Sequence, residues 1–186
     1  MNDLFPQDVG HLAMVWHHNP MRIDPPLAGD ERDTLAAFLD YHRDTLAMKC
    51  AGLTDEQLRS RAVEPSSLSL LGLVRHLADV ERAWFRIRLN GEDLPPIFFT
   101  DAAPDDDFDA LDSAPVEEVF ATWRSEIEAA RKISAETPLD TLMKRPNRAG
   151  ELMSHRWILA HMLEEYARHN GHADFLRERL DGVTGE

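Results

Sequence analysis

Glu165 and His169, four residues apart near the end of the chain, are the strongest candidates for chemistry in this sequence. On a helix they stand one turn apart on one face, with Cβ atoms roughly 6 Å apart. That spacing suits two ligands of one metal ion, whose bonds to imidazole nitrogen or carboxylate oxygen are about 2.0–2.2 Å long. His161 lies on the same stripe, but eight residues span about 12 Å along a helix axis, too far for His161 and His169 to share an ion. A third ligand must come from another helix. His76, in Leu73-Val74-Arg75-His76-Leu77-Ala78, falls amid an apolar face, where an imidazole needs a partner. Two readings of it stand: a neutral core histidine bonded to a carbonyl or carboxylate, or the third ligand. The Glu-x-x-x-His pair likewise reads as a metal-binding pair or as a simple ion pair on a solvated helix. Gly171 follows just beyond the pair. A mid-helix glycine costs about 1 kcal/mol relative to alanine, so it points to close packing or a local opening.

These residues need helices to bring them together. The pair belongs to a segment that Ser154 caps and Asp181-Gly182 ends, and His76 to one that opens after Pro65, with Ser66, Ser67 and Ser69 as candidate caps. The second of these continues through Leu77, Ala78, Glu81, Trp84, Phe85 and Arg88 to a stop at Asn90-Gly91. Its apolar face is broad, which makes it central. An earlier helix starts near Asp30 to Asp33 and stops at Gly52, and a short turn from Thr54 carries a capping box with Gln57. A further helix has Pro115 in its first turn and a stripe of Val116, Val119, Phe120, Trp123, Ile127, Ala130 and Ile133. No hairpin signal or repeat interrupts this pattern. The expected fold is an all-α four-helix bundle over residues 31–186, preceded by an irregular arm over 1–30 that holds His11, His17 and His18. The stretch from Glu92 to Pro115 reads as a loop, and its acidic run Asp105-Asp106-Asp107 as solvated.

Composition excludes several functions. The chain has 186 residues, 20 Lys and Arg against 34 Asp and Glu, and a net charge of -14, which argues against a nucleic-acid groove or a polybasic membrane surface. No stretch approaches the ~18 apolar residues of a membrane span. The N-terminus carries Asp3 and Asp8 and no basic region, unlike a secretory signal. The single cysteine, Cys50, excludes an internal disulfide and a cysteine-based zinc cluster and fits a reducing cytoplasm. Trp84, Phe85, Trp123, Trp157 and Phe175 read as pocket lining, or more simply as core or interface. Arg82, Arg86 and Arg168 read as receivers of a ligand's carboxylate, or more simply as partners of the many acids.

Two long strings carry a resemblance: Gly72-Leu73-Val74-Arg75-His76-Leu77-Ala78-Asp79-Val80-Glu81-Arg82-Ala83-Trp84-Phe85, and His161 through Glu178 with Glu165-Tyr166-Ala167-Arg168-His169-Asn170-Gly171-His172 at its centre. Together with Pro25-Pro26 and the closing Asp181-Gly182-Val183-Thr184-Gly185, they resemble the actinobacterial mini-circle branch of the DinB-like superfamily. The resemblance implies a four-helix bundle, a homodimer, and a divalent metal held by three side chains. Many relatives use one histidine on the second helix and a His-x-x-x-His pair on the last. Here His76 and His169 match the outer members and Glu165 takes the middle place, as in the similar mycothiol-dependent maleylpyruvate isomerases. The implied metal ligands are therefore His76, Glu165 and His169. His161 then either supports Glu165, one turn away, or simply packs on the helix surface, and His172 likewise supports the site or packs against it. The isomerases carry a C-terminal domain that contributes to their active site and has no counterpart before the chain ends at Glu186, which weighs against isomerisation.

The resemblance also implies the chemistry. A zinc-like ion with three protein ligands keeps an open position, and nickel, iron and manganese suit the same ligands. A low-molecular-weight thiol such as mycothiol, as co-substrate, would ionise beside it and attack a small electrophile, which makes the protein a metal-dependent thiol S-transferase. Two alternatives are a metallohydrolase using activated water and a non-catalytic, stress-related metal-binding bundle.

Overall fold

Side-chain caps set the helix starts. In a computed structural model that describes residues 22–147 and 149–185, α1 (Glu31–Cys50) begins where the Asp30 carboxylate accepts the Asp33 N–H. The one-turn helix α2 (Asp55–Arg59) has the Thr54–Gln57 capping box, and Ser69 caps α3 (Leu70–Glu81) by accepting the Gly72 N–H. A four-residue helix, α4 (Asp106–Asp109), lies inside the expected loop. Pro115 is the N-cap of α5 (Val116–Glu136) rather than a first-turn residue. Ser154 caps α6 (His155–Asp181), which ends at Gly182 with φ +78°, a left-handed conformation that glycine adopts without steric cost. Residues 1–21, with His11, His17 and His18, lie outside the described residues; residues 22–30 form no helix.

Beyond Glu81 the second long rod departs from expectation. Arg82–Leu89 continue α3 with π-helical winding, so that the Asn90 N–H reaches back to the Phe85 carbonyl. Short π-helical stretches inside α-helices frequently accompany functional sites. This one buries Phe85 in the core and leaves Trp84 at the α6 side, within 4.7 Å of the His161 ring.

The architecture is all-α. Among the described residues the only strand-like pairings are the isolated bridges Thr100–Ala103 and Leu142–Ser154. No described helix is long and apolar enough to cross a membrane. α1 runs against α6 and α3 against α5, with α3 also meeting α6. Leu39, Leu46, Leu77, Phe85, Ile158 and Met162 are among the buried side chains between them.

One polar network ties together α1, α3, α5 and α6. Arg43 of α1 donates twice to Glu81 of α3, at 2.8 and 2.7 Å. The Tyr166 hydroxyl of α6 donates to Glu81 at 2.8 Å, and the Trp123 indole N–H of α5 donates to the Tyr166 oxygen at 2.9 Å. Burial pushes the Tyr166 hydroxyl pKa well up, so it stays a donor. Successive helical residues point about 100° apart. Holding Tyr166 in the core therefore fixes the direction of its neighbour Glu165.

A second buried group sets a pH dependence. His155, fully buried at the start of α6, donates from Nδ1 to the Thr137 carbonyl at 3.0 Å and accepts at Nε2 from the Ser134 hydroxyl at 2.9 Å. Only neutral imidazole can do both. Burial lowers its pKa below the usual histidine value. The unfolded chain, titrating at about 6.5, then binds protons that the folded chain refuses. Stability from this site is present above that pH and is lost as pH falls below it. Urea unfolding between pH 7.5 and 5.5 is expected to fall less steeply for His155→Gln than for the wild type; identical slopes would contradict the assignment.

Candidate metal centre

α3 and α6 bring together the three side chains singled out above. A ligand atom of each of His76, Glu165 and His169 lies within 4.8 Å of the others. The Glu165 carboxylate and His169 Nε2 are 3.4 Å apart, and the His76 and His169 rings have centroids 4.8 Å apart. Two ligands about 2.1 Å from one tetrahedral ion would stand about 3.4 Å apart. One carboxylate and two imidazoles at that separation form a donor set that fits a divalent cation. The His169 hydrogen bond and the positive potential of the surrounding imidazoles hold the Glu165 carboxyl below its usual pKa. It therefore presents negative charge to the site at neutral pH.

Each of the three has a partner behind it. His76 Nδ1 meets the Asp107 carboxylate at 2.9 Å. The other Glu165 oxygen faces His161 Nε2 at 3.5 Å, and His169 Nδ1 lies 3.3 Å from His172 Nδ1. Burial lowers the pKa of both His161 and His172, which favours their neutral forms. His161 also stacks on Trp157 at 5.1 Å, and Trp84 packs on both rings. Trp157 remains 43% exposed, so an aromatic shelf opens to solvent about two helical turns from Glu165, with His161 between them.

Two expectations need correction, on the acidic run and on Gly171, whereas the arginines, Phe85 and Trp123 take the simpler of their two readings. The acidic run is not wholly solvated: Asp107 is buried, on α4, against His76. Gly171 marks neither close packing nor an opening, because an added Cβ would meet nothing within 4 Å and α6 runs on to Asp181. Arg82 and Arg86 converge on the buried Glu126, Arg86 also holds Glu92, and Arg168 pairs with Glu164. Phe85 and Trp123 are core residues, whereas Phe175 is exposed. Cys50 is buried, and desolvation pushes its thiol pKa up to about 12, which makes it a poor nucleophile. A cavity of about 550 Å³ opens between α1 and α5, bordered by Cys50 and Trp123. None of the three clustered ligands lines it.

Comparison with curated proteins finds no match. A family model described as mycothiol-S-transferase matches residues 34–182, a span that contains the core network and every residue of the cluster. The chain therefore belongs to the mycothiol-S-transferase family, within the DinB-like superfamily.

Proposed function

We propose that the protein is a metal-dependent mycothiol S-transferase whose cation is held by His76, Glu165 and His169. The observation that carries this reading is the meeting of those three donors, from two helices, in a chain of this family. Zinc is the proposed ion, because two imidazoles and one carboxylate with room for a further ligand suit it; nickel, iron and manganese accept the same donors. When bound, the cation supplies the positive charge that favours thiolate over thiol near neutral pH.

The chain's own residues supply the rest. Glu165 contributes negative charge, and the two imidazoles fix the place of the ion relative to α3 and α6. Phe108 stacks on His76, with ring centroids 5.0 Å apart, and screens that face from water. The Trp84–Trp157 shelf offers apolar surface to the electrophile. The thiol loses its proton to water, and its sulfur attacks the electrophilic carbon. A C–S bond forms as the bond to the leaving group breaks, and that group departs with its electron pair. Such chemistry belongs in a reducing compartment, and the cytoplasm is the proposed location.

The test is turnover of a halonitroaromatic probe by zinc-loaded protein, with and without mycothiol. The expected result is an S-conjugate that requires both zinc and mycothiol. Zinc-dependent loss of the probe without thiol would mark a hydrolase. No turnover with any thiol, alongside intact zinc binding, would mark a non-catalytic bundle.

A further inference from the structure

We infer that Asp107 is a positioning residue for the metal site: it fixes which nitrogen of His76 faces the ion, and the 92–115 segment exists in its folded form to hold it there. The inference rests on the metal-binding reading above and goes beyond the three ligands.

A carboxylate oxygen at 2.9 Å from Nδ1 accepts, so the proton of neutral His76 sits on Nδ1 and Nε2 keeps its lone pair. A metal-ligating histidine commonly donates its other N–H in this way, which sets the ring's orientation and raises the basicity of the ligating nitrogen. Asp107 is itself held, because its second oxygen accepts the Phe108 N–H at 3.0 Å. Phe108 then stacks on the same imidazole, so adjacent residues of one short helix grip His76 at its edge and its face.

The segment that carries Asp107 is tied to the helix that carries His76. The Arg75 guanidinium donates to the carbonyls of Asp106 at 2.8 Å and of Ala110, and lies over the Phe98 ring at 4.7 Å. The Asp79 carboxylate accepts the Ile97 and Phe98 N–H groups at 2.6 and 3.0 Å. Arg75 and Asp79 are one turn apart and flank His76. Gly72, one turn before His76, lets Phe108 approach: a Cβ there would stand 3.1 Å from the Phe108 ring. Buried polar side chains from α3 thus grip the loop on either side of the ligand.

The experiment is Co²⁺ binding by purified protein, read as affinity by chelator competition and as the visible spectrum of the bound ion. Asp107→Asn, close in shape, and Asp107→Ala are compared with wild type. Both are expected to weaken Co²⁺ binding by roughly 10–100-fold and to shift the visible bands, with the metal-free Tm of Asp107→Asn close to wild type. In a His76→Ala background, Asp107→Asn is expected to have no further effect. Binding of Co²⁺ by both variants within about twofold of wild type, with an unchanged spectrum, would overturn the role of Asp107 and leave the three-ligand site standing. Failure of the wild type to take up Co²⁺ would overturn both.

Discussion

His169→Ala is expected to abolish stoichiometric metal binding and, with it, thiol transfer. Loss of a direct ligand should weaken binding by more than the roughly 10–100-fold that an outer partner of a ligand contributes. His169 meets Glu165 on its own helix and His76 across the interface, so its removal leaves two donors on different rods. Its neighbour Asn170 donates to the His42 carbonyl at 3.0 Å and belongs to the α1–α6 contact instead. The fold should therefore survive the change, because the substitution touches the cluster and not that seam. Metal analysis after dialysis, paired with thermal unfolding, separates the outcomes. Full metal content in a folded His169→Ala protein would contradict the role.

The second large effect lies in the core. Glu81→Gln is expected to destabilise the protein by about 3–5 kcal/mol, the usual cost of removing one partner of a buried ion pair. Glu81 is fully buried and accepts from both Arg43 and Tyr166, so the variant leaves the Arg43 charge facing only Asp40, at 2.8 Å. For a chain of this length that corresponds to a fall in Tm of roughly 6–20 °C. Tyr166→Phe should cost less, about 1–3 kcal/mol, by leaving the Trp123 N–H without an acceptor. Urea unfolding measures both. A Glu81→Gln loss under about 1 kcal/mol would show that the network does not lock the helices. Because Tyr166 and Glu165 are adjacent, a loosened network should also weaken metal binding.

Much of the frame was legible in the sequence because helix ends are written locally. Asp30, the Thr54–Gln57 box, Ser154 and Gly182 each act within a few residues of themselves and stand where the local reading placed them, and Ser69 is the one of three candidate serines that caps α3. The Glu165–His169 pair was legible for a related reason: residues at i and i+4 share a helix face regardless of the rest of the fold, whereas the joining of His76 to them was implied only by the family resemblance. What could not be read depends on distant contacts. The π-helical winding over Arg82–Leu89 shifts hydrogen-bond partners by one residue, and two turns are too short for the apolar stripe to betray it. Asp107 sits in an acidic run that local rules call solvated; it is buried against His76 of α3, in a segment that Arg75 and Asp79 of the same helix hold in place. Those polar residues on an otherwise apolar α3 were the available signal, since buried polar groups require partners. The Arg43–Glu81 pair, 38 positions apart in sequence, left no local trace.

The most direct measurement is anomalous diffraction from crystals grown with zinc, recorded on either side of its absorption edge. The account predicts one strong peak between α3 and α6, about 2.0–2.2 Å from a nitrogen of His76, an oxygen of Glu165 and a nitrogen of His169. A zinc-loaded crystal with no peak there, or with the ion bound by other side chains while these three point apart, would contradict it.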